Sequence, residues 1–387
     1  MKQNQDKKII VGMSGGVDSS VSLALLKEQG WVPIGVSLKY SVWHDKENIL
    51  RENICCSAES FRLAKEVCRR LDVPHRVIDA SGEFQRTVID YFIKELKRGK
   101  TPNPCIICNR YLKFKKLFEV ARKERINYVA TGHYARIKVY PERSRGSKYE
   151  LVESRDKQKD QTYSLCLLPQ KWLKHIVFPL ADYKKEEILE LAKKRGFDFY
   201  LKRKESQDFC FVANKCLNCF LEKEIGRKAG LIRDTNGNVL GQHSGLHFYT
   251  IGQRKGLYLP NGPYFVVGKN IRNNALVVSK KEKDLCSRGA VLSPYNLVSD
   301  RMLGVSMSSS PQTRGGSRRG VEKNFIEVMA KVRYSASPAR AILRPLSGNK
   351  IELIFKKPQK AITPGQFAVF YRGNVCLGGG RILKNIL

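Results

Sequence analysis

Val11-Gly-Met-Ser-Gly-Gly-Val-Asp-Ser-Ser20 is the stretch on which the reading of this chain turns. Apolar Ile9-Ile10-Val11 enters it as a buried strand. Val21-Ser-Leu-Ala-Leu-Leu26 leaves it as a helix, with Gly30 as its stop. Ser14, Gly15, Gly16, Asp18, Ser19 and Ser20 therefore lie on a strand-to-helix turn. Glycines there let backbone N–H groups close on an anion, and the helix N-terminus adds partial positive charge. The stretch contains neither G-x-x-x-x-G-K-[ST] nor G-x-G-x-x-G, which excludes the common ATPase phosphate loop and the dinucleotide fingerprint.

Working outward, Val32-Pro-Ile-Gly-Val-Ser-Leu-Lys39 reads as a second buried strand. Phe61, Ala64, Val67, Cys68 and Leu71 give helical spacing from Ala58 to Leu71. His75–Asp79 is a short strand, Phe84 to Leu96 is helical, and Tyr128–Thr131 is a strand ending at Gly132-His133. This alternation predicts an α/β fold, a doubly wound parallel sheet with helices on both faces. Such sheets bind ligands at their carboxyl edge, so the glycine turn, Leu38 and Gly132 should approach one crevice. Tyr134–Val139 and Tyr149–Glu153 suggest a hairpin around the basic loop 141–148. Lys184 to Lys194 is an amphipathic helix with Ile188, Leu191 and Ala192 inward, and its lysines read as a solvated face. From about Gly230 glycines become frequent and short β-rich runs appear, at Phe265–Val267, Ala275–Val278, Ile351–Phe355 and Phe367–Tyr371. The expected division is a catalytic domain at 1–225, a small central β-rich domain at 226–282 and a C-terminal β-barrel at 283–387. A basic, core-poor insertion at 306–322 suits either RNA contact or an ordinary loop.

Lys and Arg number 71 against 36 acids in 387 residues, a formal net charge of +35. That excess favours a polyanionic partner, and RNA suits an ATP-using enzyme; surface lysines that serve only solvation are the alternative. No apolar run approaches the roughly 20 residues that span a bilayer, and no signal-peptide pattern precedes the first strand, so a cytoplasmic protein without membrane partners is expected. Eleven cysteines in such a compartment suit catalysis, metal binding or burial better than a disulfide framework.

Lys100-Thr-Pro-Asn-Pro-Cys-Ile-Ile-Cys-Asn-Arg110 is the second unusual stretch. Its prolines fix an extended loop, and Asn109 suits a helix start, with Phe114, Leu117, Phe118 and Ala121 on one face. Cys108 is then near a helix N-terminus among Arg110, Lys113 and Lys115, which favours the reactive thiolate. Cys105-Ile-Ile-Cys108 reads as half of a zinc site or as a redox dithiol. In Glu205-Ser-Gln-Asp-Phe-Cys-Phe211, Cys210 alone reads as a small buried residue between aromatics or as a functional thiol. Cys216-Leu-Asn-Cys219 has metal-ligand spacing and could join Cys55-Cys56 in a Cys₄ site, or all four could be incidental thiols. Cys68, Cys166, Cys286 and Cys376 lie in apolar or periodic runs and read as packing residues.

S-G-G-V-D-S resembles the pyrophosphate loop of the N-type ATP pyrophosphatases. With T-P-N-P-x-x-x-C-N, T-G-H-Y-A, K-D-Q-T-Y, E-S-Q-D-x-C-F, T-I-G-Q-R-K-G-L, V-R-Y and T-P-G-Q in order, the chain resembles the tRNA-specific 2-thiouridylases over nearly its whole length. The resemblance implies an ATP-dependent sulfurtransferase that modifies the wobble uridine of glutamate, glutamine and lysine tRNAs. It implies ATP contacts at Gly12, Met13, Ser14, Gly15, Gly16, Val17, Asp18, Ser19, Leu38 and Gly132, with Mg²⁺ at Asp18. It implies Cys108 as nucleophile, Cys210 as persulfide carrier, and a disulfide between them during turnover. It implies tRNA contacts at Asn103, Pro104, Cys105, His133, Lys159, Asp160, Gln161, Arg333, Tyr334 and Gln366. It also implies a sulfur donor such as a cysteine desulfurase or a sulfur-relay protein. Many members carry Asp where this chain has Cys105. The resulting set of Cys105, Cys108 and Cys210 could ligate a [4Fe-4S] cluster with one open iron. Two rival functions keep parts of this reading: a pyrophosphatase with a small-molecule acceptor, and an RNA-binding protein with a vestigial loop.

Overall fold

The computed structural model describes residues 7–43, 45–49, 57–142, 146–200, 209–213, 216–299 and 325–387. Cys55, Cys56, Glu205 to Asp208 and the insertion at 306–322 lie outside the described residues. The chain divides into two compact units, Met1–Lys94 with Pro104–Gly226, and Glu95–Asn103 with Arg227–Leu387.

In the first unit, β1 (Lys8–Gly12), β2 (Val32–Lys39), β3 (His75–Asp79), β4 (Tyr128–Thr131) and the short β7 (Ile176–Val177) form a parallel sheet in the order β3-β2-β1-β4-β7. Ile9, Ile10 and Val11 are fully buried because both sheet faces are covered, which is why β1 is an unbroken apolar run. Gly12 pairs with Val36 on one side and Thr131 on the other. The chain changes direction across the sheet at β1, so the glycine turn lies at the switch point, at the carboxyl edge. The first helix, Val17–Glu28, and the helix Ala58–Arg70 share a core with β1 through Val21, Leu23, Leu25, Leu63 and Val67. The Lys185–Lys194 helix adds Ile188 and Ala192 to that core. Burying each such side chain contributes about 1.5–3 kcal/mol before conformational entropy is set against it. β5 (Arg136–Glu142) and β6 (Gly146–Val152) form the hairpin, and their strands extend into the segment 141–148 expected as its loop.

One helix boundary differs from expectation. Pro104–Cys108 is helical and passes through a π-turn, Asn109–Lys113, into the helix Phe114–Lys123. The helix thus begins at Pro104, five residues before Asn109. Proline suits a first helical position, where its fixed φ is already correct and its missing N–H has no partner to lose.

In the second unit, β8 (Gly230–Arg233), β9 (Val239–His243), β10 (Phe265–Asn270) and β11 (Ala275–Ser279) make a four-stranded sheet in the order β10-β11-β8-β9. β12 (Cys286–Leu297), β13 (Ile326–Lys331), β14 (Ala339–Leu346), β15 (Lys350–Lys360), β16 (Phe367–Arg372) and β17 (Val375–Ile386) follow the order β12-β15-β14-β13-β16-β17, and β17 pairs back onto β12 to close a barrel. Closure removes the exposed edges that an open antiparallel sheet would present. Segment 95–103 is tied into this unit. Thr101 N–H donates to the Pro364 carbonyl, and Gln366 Nε2 donates to the Thr101 carbonyl, both at 2.9 Å. Glu95, 2% exposed, meets Arg98 at 3.0 Å, Lys100 at 3.1 Å and Arg381 at 3.2 Å. A buried carboxylate is tolerable here because three cations and their hydrogen bonds replace its water. No helix among the described residues is long and apolar enough to cross a membrane.

Candidate active site

The glycine turn is held open by its own serines. Ser19 Oγ donates to the Gly16 carbonyl at 2.9 Å and accepts from Ser14 N–H at 3.3 Å, and Ser20 Oγ donates to the same carbonyl at 3.1 Å. Gly15 has φ +75°, and a Cβ on it would lie 2.2 Å from the Ser60 carbonyl oxygen. A Cβ on Gly132 would lie 2.8 Å from the backbone of Asp18 and Ser19. The turn is therefore wedged between the start of the Ala58–Arg70 helix and the end of β4, and both glycines are required by close backbone approach. Leu38, half-buried, sits two residues beyond Val36, the partner of Gly12, at the same sheet edge.

Asp18 opens the first helix and carries the local charge. Its Oδ1 accepts from Tyr134 hydroxyl at 2.9 Å and from Lys185 Nζ at 2.7 Å. The Lys185 side chain is 8% exposed and that of Asp18 is 33% exposed. The solvated-face reading of the Lys184–Lys194 helix holds for Lys184, Lys193 and Lys194, which are exposed, and fails at Lys185, which turns inward. Lysine in the first turn of a helix opposes the helix dipole, which is unfavourable without a carboxylate partner. That misfit was the one signal of Lys185 in the sequence, and nothing local pointed to Tyr134.

Cys108 departs from its expected state. It is 6% exposed, and burial pushes its thiol up to about 11, against the opposing influence of Lys113 and a hydrogen bond from the Tyr40 hydroxyl. The expected thiolate fails because the residue lies on the second turn of the Pro104 helix, facing the interior, where desolvation outweighs nearby positive charge. Cys105, one turn earlier, is exposed. Cys210 is half-buried between Phe209 and Phe211. A chain of ring contacts links the two regions: Tyr40 stacks on Phe84 at 4.6 Å, Phe84 meets Phe211 edge-on at 6.0 Å, and Phe209 and Phe211 stack at 5.7 Å. Cys108, Cys210 and the glycine turn all belong to the first unit. Neither Cys108 nor Cys210 is in a disulfide in this structure.

Among the described residues no group of three His, Cys, Asp or Glu side chains could hold a metal ion. Cys105, Cys108 and Cys210 therefore do not fit an iron–sulfur cluster as arranged here, with one thiol exposed and another sealed in the core. Cys216 is buried and Cys219 exposed at the start of the Leu217–Ile225 helix, and they form no ligand set with other described residues. Cys68, Cys166 and Cys376 are buried packing residues, and Cys286 is half-buried. Magnesium makes a lesser demand. It needs one or two carboxylates beside substrate phosphates, which Asp18 at a helix N-terminus can supply.

Several residues assigned to tRNA contact by resemblance have internal partners. His133 is buried, its Nδ1 lies 2.7 Å from Thr131 Oγ1, and its ring stacks on Phe114; burial holds the imidazole neutral, well below its ordinary pKa. Asp160 is buried and accepts from Ser154 N–H at 3.0 Å and Thr162 hydroxyl at 2.6 Å. Gln161 Oε1 accepts from Tyr134 N–H at 3.0 Å, so this segment braces the residue that touches Asp18. Lys159 is half-buried beside them, with its N–H on the Asp156 carboxylate. Asn103 is half-buried, Pro104 buried, and Tyr334 is 47% exposed. In the second unit Arg333 donates to the carbonyls of Ile251 at 3.1 Å and Ala361 at 2.8 Å, and Gln366 anchors Thr101.

A family model described as tRNA methyl transferase HUP domain matches residues 7–214. Models described as tRNA methyl transferase PRC-barrel domain and aminomethyltransferase beta-barrel domain match 218–280 and 310–382. Among relatives, a tRNA-specific 2-thiouridylase MnmA of Clostridium perfringens is 41% identical over 386 residues, 98% of this chain and 99% of its own. The protein of that name from Carboxydothermus hydrogenoformans is 41% identical over 385 residues, 98% of each chain. That of a Thermoanaerobacter species, tRNA-specific 2-thiouridylase MnmA 1, is 42% identical over 391 residues, 100% of each chain. The relatives match from end to end, across the parallel sheet, the small sheet and the barrel alike, and the chain belongs to the family of tRNA-specific 2-thiouridylases.

Proposed function

We propose that this chain converts the wobble uridine of tRNA to 2-thiouridine, using ATP and releasing AMP and pyrophosphate, within a three-domain organisation at 1–225, 226–282 and 283–387. One observation carries the mechanism. The glycine turn, with Asp18 and Lys185, lies at the carboxyl edge of the sheet, and the Tyr40–Phe84–Phe211 contacts lead from the buried thiol of Cys108 to the segment bearing Cys210.

The uracil C2 carbonyl is a poor electrophile and its oxygen a poor leaving group. Transfer of AMP from ATP to that oxygen makes it a good one. Backbone N–H groups of the glycine turn and the Lys185 ammonium stabilise the departing pyrophosphate. Magnesium, when held by Asp18 and the phosphates, supplies further charge neutralisation. Were Mg²⁺ bound, Asp18 would hold it, and Lys185, 2.7 Å from the same carboxylate, would direct its charge to the phosphates. Sulfur arrives as a persulfide on Cys210. The Cys108 thiolate attacks the Cys210 sulfur, hydrosulfide departs, and a Cys108–Cys210 disulfide forms. Hydrosulfide adds to C2 and AMP leaves. Two electrons from an external dithiol then reset the pair. Cys108 must lose its proton before it attacks, and the Lys113 charge and the Tyr40 hydroxyl are the groups that favour its anion. The target base must leave its stack to reach these groups together. The persulfide comes from a protein donor of the cysteine desulfurase or relay type, and the acceptors are glutamate, glutamine and lysine tRNAs.

The test is mass spectrometry of tRNA nucleosides after incubation with ATP, Mg²⁺ and a sulfide source. The expected product is 2-thiouridine with one AMP per thiolation. ATP consumption that depends on a small acceptor, with no 2-thiouridine, would overturn the reading.

A further inference from the structure

Thr250-Ile-Gly-Gln-Arg-Lys-Gly-Leu-Tyr258 has no part in the chemistry above. Its exposure pattern is unusual. Arg254, Lys255 and Gly256 are exposed, Leu257 is buried, and Tyr258 is 97% exposed. Leu257 belongs to the core of the small sheet with Ile232, Leu246, Val266 and Leu276, so it anchors the loop from below. Hydrogen bonds brace both sides. Gly252 N–H donates to the Val266 carbonyl at 2.8 Å, and Val266 N–H returns to the Gln253 carbonyl at 2.9 Å. The Gln253 side chain accepts from Thr250 N–H and donates to the Lys255 carbonyl, both at 3.0 Å. Arg333 holds the Ile251 carbonyl at 3.1 Å.

Nothing in folding explains what this rigid loop displays. A phenol ring fully in water contributes no burial, and Tyr258 has φ +50°, a conformation that glycine or asparagine adopts with less strain. Between Asp234 and Glu282 the chain has no Asp or Glu, while Arg254, Lys255, Lys269, Arg272, Lys280 and Lys281 are all cationic. An exposed aromatic ring beside Arg254 and Lys255, which have no ion pair among the described residues, is the arrangement that accepts an unstacked base with its phosphates. We propose that Arg254, Lys255 and Tyr258 form a docking loop for tRNA, in which an unpaired base stacks on Tyr258 and the flanking phosphates meet the two cations. The proposal rests on tRNA as the substrate. It adds a contact that lies outside the reacting centre.

The informative variant is Tyr258→Asn in the full chain, because asparagine suits the positive φ and should fold at least as well as wild type. Filter binding of unmodified tRNA over a salt series is the measurement, with thermal unfolding and ATP affinity as controls. Tyr258→Asn should weaken tRNA binding about tenfold with unchanged salt slope, while Tyr258→Trp retains affinity, because an indole offers a base the same stacking face. Arg254→Ala with Lys255→Ala should lower the slope of log K against log salt by about 1.5, from roughly 0.7–0.9 per phosphate contact. Wild-type affinity in Tyr258→Asn together with an unchanged slope in the double variant would overturn the proposal. So would a defect confined to thiolation from a protein sulfur donor and absent with sulfide, which would assign the loop to a protein partner. If wild type binds tRNA but makes no 2-thiouridine, the proposed activity fails, and the binding data still decide the loop.

Discussion

Lys185→Met separates a phosphate-binding role from a structural one. The Lys185 ammonium lies 2.7 Å from Asp18 Oδ1 with 8% of its side chain exposed. The gross attraction at that separation is about 6 kcal/mol with an effective dielectric constant near 20. Removing the amine from water costs several kcal/mol, which offsets most of it. Asp18 is one-third exposed and retains the Tyr134 hydroxyl, so it is not stranded when the lysine is lost. Methionine fills nearly the same volume. The net stability change should therefore stay within about 2 kcal/mol. Catalysis should respond differently. Loss of one preorganised group that stabilises developing charge costs roughly 10²–10³ in kcat. The assay is 2-thiouridine formation at saturating ATP and tRNA, paired with tRNA-dependent ATP–pyrophosphate exchange and a thermal melt. The expected pattern is a drop of about 10²–10³ in both rates, a melting shift of a few degrees, and partial rescue by Lys185→Arg. Turnover within threefold of wild type would refute the reasoning and leave Lys185 as a structural partner of Asp18.

Other consequences follow from the same geometry. In the resting protein iodoacetamide should label exposed Cys105 well before buried Cys108, and labelling of Cys108 should rise with pH toward about 11; peptide mass spectrometry reads both, and equal rates at pH 7 would contradict the burial. Cys68 and Cys108 are raised from 9.0 to about 12 and about 11, so the folded state holds protons that the unfolded chain releases. Their contribution to stability is full below pH 9 and is lost as pH rises toward those values, measurable as a falling denaturant midpoint that Cys68→Ala flattens in part. Gly15→Ala should abolish ATP binding while far-UV circular dichroism is kept, because its Cβ would fall 2.2 Å from the Ser60 oxygen at φ +75°. Arg333→Ala should lower stability by about 1–3 kcal/mol through the orphaned Ile251 and Ala361 carbonyls, read by thermal unfolding without RNA. An unchanged melt would return Arg333 to direct tRNA contact.

The sequence by itself determined the parallel sheet, the glycine turn at its carboxyl edge, the β-rich second half and the family. These features follow from patterns local to the chain: unbroken apolar runs for strands covered on both faces, helical spacing, and glycine where backbone must approach closely. Even the buried face of the Lys185–Lys194 helix was legible at Ile188 and Ala192. Only the tertiary structure decided the states of the charged and sulfur groups. The helix pattern leaves Lys185 indistinguishable from the solvated lysines around it, and only the convergence of two helix N-termini places Asp18 against it. Neighbouring lysines favour a thiolate at Cys108, yet an earlier helix start turns it inward, where lost hydration outweighs their charge. Asp160, Gln161 and Arg333 likewise gained internal partners that no spacing reveals. Secondary structure is encoded by neighbours in the chain, whereas protonation and pairing depend on neighbours in space, and those exist only once the fold has closed.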